Sequence, residues 1–237
     1  THTGGFCGNT FRDLTEDMPK IKEHWVKEGI HFDAIYTGYL GSFEQIRIVS
    51  HVIDLLKQSN PALRVIVDPA MADFGKLYTG FDEAFAREMT SLCKKADIIV
   101  PNLTEAAYML GIPYPEHRCT EDEIKSILRK LSALGCKTTV LTGVSFHENK
   151  IGAMSYDRET DTFALYENEH LAAQFHGTGD IFASALVGAV MNGLSIETSI
   201  KIAADYTLQC IVNTQEDKKH WYGVHFEPVL HQLISYI

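Results

Sequence analysis

Apolar residues along the chain follow two alternating patterns. Short, nearly continuous apolar runs end on a polar residue or a glycine, and longer stretches carry an apolar residue at every third or fourth position. The first pattern predicts strands buried on both faces, and the second predicts amphipathic helices that cover them. A helix is expected from about Leu14 to Lys27, stopping at Gly29, and a strand over Asp33 to Gly38. Phe43 to Lys57 reads as helix, closed by Asn60-Pro61, and Arg64 to Pro69 as a short buried strand. Phe81 to Lys95 is helical, Asp97 to Asn102 a strand, and Leu103 to Leu110 a short helix ending at Gly111. Thr120-Glu121-Asp122-Glu123 is a capping box. It opens a helix whose apolar positions are Ile124, Ile127, Leu128, Leu131 and Leu134. Thr138 to Gly143 is the next strand, and Ile151 to Tyr156 with Thr162 to Tyr166 form an antiparallel hairpin. Three helical stretches close the chain: one after Gly179, one over Ile196 to Val212, and one from about Pro228.

Strands alternating with helices imply an α/β fold with a mainly parallel sheet, helices on both faces and an antiparallel edge hairpin. No repeat, linker or low-complexity tract interrupts the 237 residues, so a single domain over 1–237 is expected. The chain opens Thr-His-Thr-Gly-Gly, ahead of its first strong strand at Ala34, which reads as a domain whose upstream segment is absent.

Net charge is −10, which argues against a nucleic-acid partner. No apolar run approaches ~18 residues, so no membrane span is expected. Cys7, Cys93, Cys119, Cys136 and Cys210 are scattered without a C-x-x-C. They read as free thiols of a reducing, cytoplasmic compartment, and the eleven histidines show no regular ligand spacing.

Candidate chemistry concentrates at the strand ends. In parallel sheets ligands collect at the carboxyl ends of strands. Those ends here are Gly38-Tyr39, Asp68 through Asp73, Asn102 with Glu105, and Thr142-Gly143. Gly177-Thr178-Gly179-Asp180 precedes a long apolar helix and should join the same rim. Glycines let amide groups converge, and a helix N-terminus adds partial positive charge, so this turn suits a phosphate. A carboxylate beside a phosphate site repels it, unless its task is to take a proton from an attacking hydroxyl. Asp180 therefore points to a kinase acting on a small alcohol. Asp68, Asp73 and Glu105 gather hard oxygen donors suited to Mg²⁺ with phosphate as co-ligand. Each motif also has a plain structural reading. Gly177 to Asp180 can be a turn and cap, Asn102 with Glu105 a helix cap, Asp68-Pro69 a turn, Tyr39 a core-edge aromatic and Thr142 an ordinary strand residue. Their shared position at one end of successive strands favours the functional reading.

The set resembles the pyridoxal kinases of the ribokinase-like superfamily. The resemblance rests on Thr1-His2-Thr3-Gly4-Gly5, Tyr36 to Gly41, Val67 to Asp73, Pro101 to Ala106 and Gly177 to Asp180, in family order along nearly the whole chain. It implies ATP-dependent phosphorylation of the 5′-hydroxyl of a B6 vitamer and a homodimer. By the same resemblance the absent upstream segment is an N-terminal strand-turn-helix unit. Asp180 would be the base, and Gly177, Thr178 and Gly179 the anion hole. Thr3 and Tyr39 would contact the pyridine ring. Asp68, Asp73, Asn102 and Glu105 would organise Mg²⁺ and ATP, with Thr142 near the nucleotide. It also implies a monovalent cation, usually K⁺, although Val100 stands where the family often has threonine. Hydroxymethylpyrimidine kinases share the fold but commonly carry cysteine at the position of Asp180. A ribokinase-like sugar kinase, or a non-catalytic member that binds B6 or nucleotide, would carry the same fold.

Overall fold

A computed structural model describes residues 8, 10, 12–173, 175–217 and 223–236. Thr1 and Thr3 lie outside the described residues. The elements run α1 (Met18–Lys27), β1 (Ala34–Thr37), α2 (Phe43–Ser59), β2 (Arg64–Val67), β3 (Ala72–Asp73), β4 (Lys76–Leu77), α3 (Glu83–Cys93), β5 (Ile98–Ile99), α4 (Leu103–Leu110), α5 (Glu121–Ser132), β6 (Thr138–Val144), β7 (Lys150–Asp157), β8 (Thr162–Glu169), α6 (Thr178–Met191) and α7 (Ile196–Glu216). A 3₁₀ segment, Glu227–Tyr236, follows.

Six strands form the main sheet in the order β1-β2-β5-β6-β7-β8. The pairs from β1 to β6 are parallel, and β7 and β8 are added antiparallel. This is the expected α/β class.

The pleat divides the core. Val65 and Val67 of β2 join Ile99 and Leu141 in one apolar cluster, covered by Ile46, Ile53 and Leu56 of α2 and by residues of α3, α4 and α5. Ile66, between the two valines, faces the other way. It packs with Ile98, Val140, Leu186 of α6, and Ile200 and Ala203 of α7. Burial on both faces explains why the parallel strands read as continuous apolar runs.

Helix ends follow their caps. Ser42, Asp82, Asn102, Thr120 and Ser195 each accept a backbone N–H of the first helical turn. Two expectations need correction, and one element was not foreseen. The first helix begins at Met18, with Pro19 in its first turn, because the backbone around Leu14 forms a turn instead. The stretch from Pro228 is 3₁₀ rather than α-helical, and none of its residues is buried. The small hairpin β3–β4 escaped the pattern because each strand is two residues long; its turn places Phe74 at φ 49° and Gly75 at φ 75°.

Two glycines give opposite expectations. Gly152 sits in β7 opposite the irregularity between Thr142 and Val144, and a Cβ there would lie 1.8 Å from the Tyr166 carbonyl oxygen. Gly152→Ala should lower unfolding free energy by about 2 kcal/mol or more. Gly188 lies on the exposed side of α6 with open space around it. Gly188→Ala should raise stability by about 0.5–1 kcal/mol. Urea denaturation of the two variants checks both signs.

Candidate active site

The carboxyl ends of β1, β2 and β5, the Thr142 region of β6, and the N-termini of α4 and α6 meet at one crevice. The loop after β2 forms its acidic wall. Asp68 leaves the sheet with its N–H bonded to the Thr37 carbonyl, and its Oδ1 accepts from the Ala70 N–H at 3.1 Å. Ala70 is held at φ 23°, a region that L residues rarely adopt. The next amide, Met71 N–H, donates to Glu105 Oε1 at 3.0 Å. Glu105 Oε2 accepts from the Asn102 N–H at 2.9 Å, and Asn102 Oδ1 accepts from the Glu105 N–H, which closes a capping box on α4. Asn102 Nδ2 donates to the Ala72 carbonyl at 2.8 Å, and the Gly75 N–H donates to Thr104 Oγ1 at 3.0 Å. The start of α4 thus holds the whole Asp68–Gly75 loop from several points. Asn102 also bridges to Thr142, whose N–H donates to the Pro101 carbonyl at 2.9 Å.

Asp68 and Glu105 are buried, at 8% and 2% exposure. Burial pushes both carboxyl groups above their ordinary range. The Asp68 charge pushes Glu105 further up, against the pull of its backbone N–H donors. Asp68 is also raised by the Asp180 charge, while the Ala70 N–H pulls it back. Asp73 is raised by burial, partly offset by the Phe74 N–H. Among the described residues no lysine, arginine or histidine forms an ion pair with any of these four carboxylates.

The opposite wall is the start of α6. Gly177 is its N-cap, at φ 92° and ψ 0°, and no atom lies within 4 Å of a Cβ built on Gly177 or Gly179. The first amides of α6 have no acceptor within the helix. Asp180 is exposed in the first turn. A Cβ on Gly38 would lie 4.0 Å from Asp180 Oδ1 and 4.0 Å from the Tyr36 hydroxyl. That spacing brings the Gly38 end of β1 close to the start of α6. Tyr39 is 45% exposed and stacks on Phe81, with ring centroids 5.6 Å apart. Thr178 Oγ1 donates to the Phe175 carbonyl at 3.4 Å.

The structure thus brings Tyr39, Asp68, Asn102, Glu105, Thr142, Gly177, Thr178, Gly179 and Asp180 to one end of the sheet, with Asp73 on the neighbouring hairpin. It does not bring three carboxylates to one point. Among the described residues, no three of Asp68, Asp73, Glu105 and Asp180 place donor oxygens within 4.8 Å of one another. Both Glu105 oxygens are already taken by backbone N–H groups. Two residues were missed by the sequence reading. Tyr78, just after β4, has its phenol raised first by burial and then by the charges of Glu105, Asp73, Asp68 and Asp180. The Tyr36 phenol is raised by burial, Asp68 and Asp180, with Ser184, one turn beyond Asp180, pulling it back. Tyr78 lies in no motif, and Tyr36, although it opens the segment Tyr36 to Gly41, was given no role of its own. Only the unrecognised β3–β4 hairpin and the register of β1 against α6 place them.

The fold and crevice are those of a ribokinase-like α/β protein. The family model described as Phosphomethylpyrimidine kinase matches residues 9–225, and the chain belongs to that family. It is 30% identical over 186 residues to the pyridoxine/pyridoxal/pyridoxamine kinase of Bordetella avium, a match covering 77% of this chain and 60% of that protein. The chain spans about three fifths of the length of such curated relatives. A Bacteroides thetaiotaomicron protein, provisionally assigned as a phosphomethylpyrimidine kinase, superposes with TM-score 0.93 at 40% identity, covering 98% of this chain and 80% of that one. A second crystal form of it, with pyridoxal, gives TM-score 0.91 at 39% identity, covering 100% and 82%. The pyridoxal kinase of Lactobacillus plantarum superposes with TM-score 0.87 at 26% identity, covering 99% and 82%. The likeness to pyridoxal kinases expected from the motifs therefore holds in sequence and in fold. Among the described residues no helix is long and apolar enough to cross a membrane.

Burial of Asp68 has a stability consequence. A carboxyl whose ionisation the fold opposes keeps its proton more tightly folded than unfolded. Between about pH 4 and 7 the folded chain then binds more protons, and stability falls as pH rises through that window. Asp68→Asn keeps an oxygen for the Ala70 N–H and removes the charge. It should raise the melting temperature by about 2–4 °C at pH 8 and change it little at pH 4. Thermal unfolding of the ligand-free protein at the two pH values checks this. An equal loss at both would contradict it.

Proposed function

We propose that the chain transfers the γ-phosphoryl group of ATP to the 5′-hydroxyl of pyridoxal, pyridoxine or pyridoxamine. The observation that carries this reading is the position of Asp180, in the first turn of α6 with its Oδ1 4.0 Å from a Cβ built on Gly38. A carboxylate in that position stands beside the first amides of α6, and Tyr39, the residue after Gly38, offers a partly exposed aromatic ring. A flat ring lying against Tyr39 would direct a short hydroxymethyl arm towards Asp180, and stacking of that kind contributes about 0.5–1.5 kcal/mol beyond burial. The pyridoxal-bound crystal form of the Bacteroides thetaiotaomicron protein supports the choice of ring.

In this reading the 5′-oxygen attacks the γ-phosphorus in line. The bond from that phosphorus to the β–γ bridging oxygen breaks, and the hydroxyl proton passes to the Asp180 carboxylate. The transition state is loose, so positioning and charge neutralisation do most of the work. The amides of Gly177, Thr178 and Gly179 face the charge on the transferred group. Asn102 and Thr142 line the nucleotide side. Glu105 acts by fixing the loop that carries Asp68 and Asp73.

The oxygen donor set of the crevice fits Mg²⁺, which when bound neutralises phosphate charge. Because three carboxylates do not converge, Asp68 or Asp73 would hold it together with phosphate oxygens and water, as this ion prefers. Val100 is 4% exposed and packs with Ile66 and Ile98 on the α6 face, so its side chain supplies no oxygen to a K⁺ site.

A second reading, phosphorylation of hydroxymethylpyrimidine, is favoured by the family model's own description. Asp180, standing where such kinases commonly carry cysteine, weighs against it.

Specificity constants with Mg-ATP for the three vitamers, hydroxymethylpyrimidine and ribose separate these readings. At least one vitamer should lead. A lead for hydroxymethylpyrimidine would move the assignment, and no turnover of any acceptor would favour a binding protein. Asp180→Asn should lower kcat by about 10²–10⁴-fold and leave ATP affinity within a few-fold. EDTA should abolish turnover and Mg²⁺ restore it, with K⁺ adding little.

A further inference from the structure

A second cluster of donors lies away from the crevice, where the loop after α4 enters α5. His117, Cys119 and Glu123 place one nitrogen, one sulfur and one carboxylate oxygen within 4.8 Å of one another. Among the described residues this is the one group of three or more His, Cys, Asp or Glu side chains to do so. The spacing, H-x-C-x₃-E, matches none of the regular metal motifs, which is why the sequence reading passed over it.

The local fold prepares these side chains. Thr120 is the N-cap of α5, and Glu123 is the third residue of its capping box. Glu123 Oε2 accepts from the Thr120 N–H at 2.8 Å and from Thr120 Oγ1 at 2.9 Å. Those two bonds fix the carboxylate and leave Oε1 turned to His117 Nε2, 3.4 Å away. Outer hydrogen bonds of this kind orient the donors of real metal centres. Cys119, just ahead of the cap, is 8% exposed and packs on the main core, so its sulfur comes from a rigid position. His117 is 66% exposed at its side chain and can swing inward.

We propose that His117, Cys119 and Glu123 bind a borderline-soft divalent transition metal, with Zn²⁺ the best fit. A sulfur donor disfavours Mg²⁺ and Ca²⁺, and a mixed sulfur, imidazole and carboxylate set suits Zn²⁺. Tetrahedral bonds to such donors put ligand atoms roughly 3.3–3.8 Å apart. The His117–Glu123 pair already has that separation, and the sulfur needs a shift of about 1 Å or less to reach it. Three protein donors leave a fourth position for water. On binding, the Cys119 thiol proton leaves to solvent and the thiolate takes its place on the metal.

The site would tie the loop from Gly111 to the start of α5. That loop carries Tyr114, whose ring lies 3.1 Å from a Cβ built on Gly75 in the β3–β4 turn, two residues from Asp73. Metal binding would therefore brace the rim of the crevice from outside.

Titration of the reduced, metal-free chain with Co²⁺ alone tests the proposal. Bound Co²⁺ reports sulfur ligation through a thiolate-to-metal charge-transfer band, which the all-oxygen crevice cannot produce. One equivalent should produce the band, and Zn²⁺ should displace the cobalt. Cys119→Ser should abolish the band. His117→Ala, at an exposed side chain where folding is not at risk, should weaken binding at least ~10-fold. His24→Ala, on the surface of α1, should leave it unchanged. No band in the unaltered chain, or a band of full affinity in His117→Ala, would overturn the proposal.

Discussion

The arrangement at the strand ends depends on the buried carboxylate of Glu105. One oxygen caps the backbone of its own helix at Asn102, and the other reaches across to the Met71 N–H in the loop after β2. Burying a carboxylate without a cationic partner is costly, and the neighbouring Asp68 charge adds to the cost. Two backbone donors and the positive end of α4 offset it. The result is a loop with few choices. Ala70 is held at an unusual φ, Asp68 is turned into the crevice, and Asn102 holds the Ala72 carbonyl. An apolar residue at position 105 would leave the Met71 and Asn102 amides unpaired and release the wall that carries both aspartates.

The two walls are electrostatically opposed. Asp68, Asp73 and Glu105 make one side acidic, while the turn at Gly177 presents the first amides and the positive end of α6. Neither wall suits a bare polyphosphate alone. Together they suit a phosphate chain that carries a divalent cation on one side and meets amide donors on the other. Asp180 sits on the amide side, where a carboxylate would oppose phosphate binding unless it served the acceptor hydroxyl. Its nearness to Gly38 gives it that position.

How much of this was legible in the sequence follows from the range of the interactions. The strands showed because both faces are buried. The α4 and α5 caps showed because a capping box spans only four residues. The turn at Gly177 showed because a left-handed N-cap before an apolar helix demands glycine. The bond from Glu105 to Met71 did not, since it joins residues 34 positions apart. The β3–β4 hairpin was hidden because strands of two residues carry no periodicity, and Tyr78 was hidden with it. The cluster of His117, Cys119 and Glu123 was hidden for a different reason. Its donors come together through a helix cap, and only the folded start of α5 puts Cys119 and Glu123 on one side.

The central claim is that the acceptor alcohol meets Asp180 while the transferred group rests on the amides of Gly177 to Gly179. A crystal structure of the chain with Mg-ADP, aluminium fluoride and pyridoxal tests it most directly. The account predicts the fluoride group against those amides, the pyridoxal 5′-oxygen within hydrogen-bond distance of the Asp180 carboxylate, and the ring against Tyr39. A fluoride group bound away from the start of α6, or a 5′-oxygen out of reach of Asp180, would contradict it.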